Sequence, residues 1–146
     1  MRKLVMTALV AGAMAASAPA AAQELPVKGG DYWEVTAVTV DDGRFPDYAD
    51  FLAGQFRKQS EFSKSKGWLK GYYILSNVNS RADEPDLYLV RIYDHVATPA
   101  EEIQREKEMN AFAAQTTRQQ QAGSGQRATY RHLKGTMLLQ ELLWSK

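Results

Sequence analysis

Cysteine is absent from all 146 residues. That one absence removes disulfides, thiolate metal sites, a cysteine nucleophile and a lipid-modified N-terminal cysteine. Histidine is almost as scarce, with only His95 and His132. No spacing of His with acidic residues suits a transition metal, and neither a phosphate-cradling glycine loop nor a G-x-S-x-G elbow occurs. The GSG at 123–125 lacks the strand and helix such a loop needs and reads as linker. No metal or cofactor is therefore expected. An excess of charge is also lacking: 18 basic residues face 17 acidic ones. A near-neutral chain gives no electrostatic reason for a nucleic-acid or anionic-membrane partner. No apolar run reaches the roughly 20 residues needed to span a bilayer.

The one long apolar run is Leu4 to Ala16, thirteen residues preceded by Arg2 and Lys3 and followed by Ala20-Ala21-Ala22. A positive start, an apolar middle and a small-residue end are the three parts of a secretion signal. Cleavage is expected between Ala22 and Gln23, leaving a secreted or periplasmic chain of 124 residues, enough for one domain with a real core. Loss of Arg2 and Lys3 would leave 16 basic against 17 acidic residues, a net charge of −1. After cleavage no membrane association is expected.

Residues 23–30, QELPVKGG, read as a flexible leader because Pro26 and Gly29-Gly30 punctuate them. The single domain is expected over 31–146. DYWEVTAVTV, 31–40, is β-branched and aromatic and reads as a first strand, closed by Asp41-Asp42-Gly43. The period then changes. Phe45, Tyr48, Leu52 and Phe56 recur at three- and four-residue steps with charged residues between them, the pattern of an amphipathic helix. Pro46 suits its first turn, and Lys64, Lys66 and Gly67 its end.

KGWLKGYYIL, 66–75, thus reads as the place where a helix stops at Gly67 and a second strand, 68–78, begins. SNVNSRADEP is a loop and DLYLVRIYDH, 86–95, a third strand. Thr98-Pro99-Ala100-Glu101 is a capping box with Pro at the first helical position. Its helix is expected to run to about Gln120 on a thin apolar stripe. QQQAGSGQ, 119–126, reads as a flexible break, residues 128–135 fit a helical turn or an extended lead-in, and GTMLLQELLWSK closes the chain as a fourth strand.

This β-α-β-β-α-β order is the ferredoxin-like pattern, an α+β fold with two helices on one face of a four-stranded antiparallel sheet ordered 4-1-3-2. On the third strand Tyr88, Val90 and Ile92 suit the helix side, which would leave Leu87, Leu89, Arg91 and Tyr93 on the open side. Both alternating sets of the fourth strand also carry large apolar groups. An uncovered face of that kind marks an interface, and a homodimer packed sheet to sheet is expected.

The layout resembles the dimeric α+β barrel superfamily over nearly the whole mature chain. The exported start, the helix FPDYADFLAGQF, the junction KGWLKGYYIL and the ending LLQELLW are similar to uncharacterised secreted members. The resemblance implies a paired barrel. It leaves activity open, because the superfamily holds cofactor-independent monooxygenases, haem-degrading enzymes, muconolactone isomerases, haem peroxidases and members without assigned activity. Its haem-degrading branch uses an Asn, a Trp and a His together. Asn77, Trp33 or Trp68, and His132 are present, but no alignment of positions supports carrying those roles over.

No residue stands out as catalytic. The strongest polar candidates follow from alternation. Glu34 is expected to share a barrel-facing surface with Arg91 and Tyr93, and Glu141 to join them if its phase agrees. Trp33, Tyr73 and Tyr93 would line such a pocket. Arg91 with a carboxylate is either a pair that fixes strand register or a ligand anchor. Two function classes follow: an exported dimeric module that binds a small molecule or serves structurally, and a cofactor-independent enzyme acting on a small aromatic or carbonyl compound.

Overall fold

A computed structural model describes residues 25–145, so the expected secretion signal lies outside the described residues. Four strands form one antiparallel sheet: β1 (Val27–Val40), β2 (Gly71–Ser76), β3 (Leu87–Tyr93) and β4 (Arg131–Trp144). Their order is β2-β3-β1-β4, which reads 4-1-3-2 from the other edge. The helical segments are α1 (Phe45–Phe51), a π-helical segment (Leu52–Phe56), α2 (Arg57–Ser65), α3 (Pro99–Ala113) and α4 (Thr117–Arg127).

Residues 45–65 form one rod, and its middle explains its spacing. Tyr48, Leu52, Phe56 and Ser60 are all buried and all four residues apart. Four-residue steps overshoot the 3.6-residue turn and drift round a regular helix. The wider i→i+5 bonding of Leu52–Phe56 keeps the four in line. The rod ends in a Schellman arrangement: the Trp68 N–H donates to the Ser63 carbonyl, the Gly67 N–H to that of Lys64, and Gly67 takes φ +72°. The 66–75 stretch is therefore a helix stop followed by a strand.

The core lies between this rod and the sheet. Val38 and Leu87, opposite each other on β1 and β3, join Tyr48, Leu52 and Phe56, with Leu89 and Tyr72 packed against them. The same register pairs Thr36 with Leu89, Glu34 with Arg91 and Tyr32 with Tyr93, so all of these face the helices. This corrects the expected phase of β3 by one residue: Leu87, Leu89, Arg91 and Tyr93 lie under the helices. Tyr88, Val90 and Ile92 lie on the open face, in register with Ala37, Val35 and Trp33.

Three further boundaries differ from expectation. Val27–Gly30 is strand rather than flexible leader, and Gly29 pairs with Leu142. A Cβ at Gly29 would sit 2.5 Å from Gln140 Nε2, so glycine is what lets the β4 side chain cross there. The helix expected to reach Gln120 stops at Ala113, where Ala114 turns left-handed at φ 49°. The expected break at 119–126 is instead α4, opened by a second capping box in which Thr116 Oγ1 accepts from the Gln119 N–H.

Candidate functional site

A half-open cleft of about 450 Å³ lies on the helix side of the sheet. Its floor is Tyr32 and Glu34 of β1, Arg91 and Tyr93 of β3 and Leu138 of β4. One wall is the polar end of the buried stripe on the long rod, Gln59, Ser60 and Ser63, followed by Trp68 and Leu69 of the turn. The opposite wall comes from α3, with Glu102, Arg105, Glu106 and Met109, and its lip from the loop His95-Val96-Ala97. The volume falls in the range of about 300–1,000 Å³ usual for small-molecule sites.

The floor is electrostatically loose. Arg91 Nη1 lies 3.5 Å from Glu34 Oε1, well beyond the roughly 2.8 Å of a tight charge-assisted bond. The Arg91 guanidinium also rests over the Phe56 ring, 5.4 Å from its centroid. Burial pushes the Tyr93 phenol above its ordinary pKa of 10.0, with the Arg91 charge acting in the opposite sense. Along the wall Ser60 is only 3% exposed. Its hydroxyl and the Gln59 Nε2 both lack a hydrogen-bond partner. Unpaired buried polar atoms are uncommon because each forfeits its solvation.

The lip is built on a histidine. His95 Nδ1 lies 2.6 Å from Asp94 Oδ1, and His95 Nε2 lies 3.0 Å from Glu101 Oε1. Ionised carboxylates only accept, so both ring nitrogens donate and the ring is the imidazolium. Glu101, then Asp94, raise the His95 pKa above 6.5. Glu101 is lowered to about 2, first by the Thr98 backbone N–H and side chain of the α3 capping box and then by His95. Hydrogen bonding from His95 lowers Asp94 as well. The start of α3 and the lip of the cleft are therefore one bonded unit.

Of the six residues expected to line a pocket, Glu34, Arg91 and Tyr93 meet in this cleft. Trp33, Tyr73 and Glu141 do not. Trp33 pairs with Ile92 and Leu139, and Tyr73 with Val90, all on the open face. Glu141 follows Leu139 by two residues and stands beside Gly30, on the far side of the sheet from Arg91. The expected meeting of Arg91 with Glu141, and of both on the open face, is thus corrected; the Arg91–Glu34 approach is as expected. His132 lies outside the cleft, exposed, with Nε2 2.8 Å from Asp41 Oδ1.

Sequence reasoning missed Ser60, Trp68 and Arg105 as cleft residues. The signal available was the stripe itself, which changes from Leu52 and Phe56 to Ser60 and Ser63 where it leaves the core. Among the described residues no group of three or more acidic or histidine side chains is placed to hold a metal, and no helix is long and apolar enough to cross a membrane. No protein-family model matches the chain, and no curated protein is similar to it in sequence.

Proposed function

We propose that this chain is an exported small-molecule-binding protein, built on a ferredoxin-like domain that pairs through its open sheet face into a dimeric barrel. The observation that carries the binding role is the half-open cleft of about 450 Å³, lined by Arg91, Tyr93, Trp68 and Arg105. Pairing is supported by Tyr73, Leu75, Met137 and Leu139, each at least half exposed on one continuous sheet face. An enzymatic role on the bound compound draws its support from Glu34, a carboxylate on the cleft floor that could serve as a base.

The test is a fragment screen against isotope-labelled protein, read by amide chemical shifts. Binding fragments should perturb Ser60, Arg91, Tyr93 and Ala97 together. Perturbations centred on Trp33, Tyr73 and Leu139 would move the site to the open face, and a library with no binders would remove the binding role.

A further inference from the structure

Two arginines of the cleft are short of partners. A guanidinium carries five N–H donors. Arg91 meets Glu34 at 3.5 Å and the Tyr93 hydroxyl, which leaves it donors to spare. The Arg105 side chain is 19% exposed, and its approach to Glu101 is 3.6 Å. Arg105 also lies 3.5 Å from His95 Nε2, but that nitrogen already donates to Glu101 and offers no lone pair. The two reach the cleft from different elements, β3 and α3. Both charges act on the Tyr93 phenol, Arg91 more strongly than Arg105. Partly buried guanidinium groups with unspent donors are suited to a planar, bidentate anion.

Beside them stands a flat apolar surface. The Arg105 guanidinium lies over the Trp68 indole, 5.9 Å from its centroid. Trp68 is fixed edge-on by Phe62 at 5.5 Å, and Phe62 is stacked in turn on Phe112 at 4.1 Å. An indole braced this way gives the cleft a rigid aromatic wall.

We propose that the cleft takes a planar aromatic acid, its carboxylate held between Arg91 and Arg105 and its ring against Trp68. The inference rests on reading the cleft as a small-molecule site and adds the class of ligand. Glu34 competes with that carboxylate for Arg91, so it sets affinity rather than forming the anchor.

Isothermal titration of the purified protein with 2-naphthoate, 2-naphthamide and cyclohexanecarboxylate tests the assignment. Naphthoate should bind about tenfold or more tightly than naphthamide, which loses the charge-assisted contact, and more tightly than cyclohexanecarboxylate, which keeps the charge but has no flat ring for Trp68. Arg91→Met and Arg105→Met should each lower naphthoate affinity by a similar factor and leave naphthamide unchanged. Glu34→Gln should tighten naphthoate severalfold. Should Arg91→Met fail to fold, Arg105→Met decides alone. Equal affinity for acid and amide, or naphthoate binding that survives Arg105→Met, overturns the acid assignment. So does failure of naphthoate to bind a cleft that other fragments perturb. The cleft then still stands as a small-molecule site. Absence of any fragment at Ser60 and Arg91 overturns both readings.

Discussion

At the scale of single residues, His95 couples pH to the lip of the cleft. The groups facing it are Asp94 on its own segment and Glu101 and Arg105 from α3. Its pKa in the folded chain is raised, so the stability it lends is fully present below about 6.5 and is lost as pH rises through the higher folded value. Asp94 and Glu101 act in the opposite sense. Their lowered values lend stability that is present above their ordinary values of 3.8 and 4.5, and lost as pH falls through the folded ones. The cluster therefore contributes most between about pH 4.5 and 6.5. Melting temperature measured from pH 4 to 9 on wild type and His95→Gln should differ most in that window. The two curves should converge above it, as the imidazolium loses its proton. Parallel curves at every pH would show that folding leaves the His95 pKa unchanged.

At the scale of elements, strong local chemistry was legible and two-sided patterns were not. The long rod, the stop at Gly67 and the start at Thr98-Pro99 could all be read, because caps and period are local signals. The phase of β3 could not. Leu87 and Leu89 on one side match Val90 and Ile92 on the other, so alternation does not say which set meets the helices. Arg91 tips the balance the wrong way, because a charge suggests the uncovered side. In the structure it lies beneath the helices because the cleft opens there.

Helix α4 was missed for a different reason. TRQQQAGSGQR has the composition of a linker, and only the Thr116–Gln119 box marks it as helix. Like α3 it buries none of its residues, so its own propensity carries much of its stability. Gly125 lies inside α4 without a positive φ, and a Cβ added there would meet nothing within 4 Å. Gly125→Ala should then stabilise by up to about 1 kcal/mol, the usual cost of a mid-helix glycine. A urea titration followed by circular dichroism measures it. A destabilising effect would show that residue 125 is held in a non-helical conformation.

At the scale of the whole molecule, helices cover one face of the sheet; on the other, Val90 and Ile92 are already buried, and the exposed apolar side chains belong to β2 and β4. β1 and β4 each run fourteen residues, against six for β2 and seven for β3. Along β4 every described residue from His132 onward is exposed, on both sides of the strand. Apolar content on both sides of β4 was legible in the sequence, and it is what first implied a second copy. Corrected phase changes which residues test that pairing. Leu139, in register with Trp33, stands on the open face and is half exposed. Leu89, in register with Thr36, packs on the core under the long rod. Leu139→Glu should leave the fold intact and convert a dimer to monomer, since a charge buried without a partner costs several kcal/mol. Leu89→Glu should unfold the chain, because the same charge is forced into the monomer's own core. Light scattering coupled to gel filtration reads the first, and loss of the cooperative thermal transition reads the second. If Leu139→Glu remains a stable dimer while Leu89→Glu unfolds, the helix-side core is right and the two copies meet through some other surface. If Leu89→Glu dissociates to a folded monomer, the phase of β3 is the one first expected, and the cleft floor drawn from Arg91 and Tyr93 falls with it.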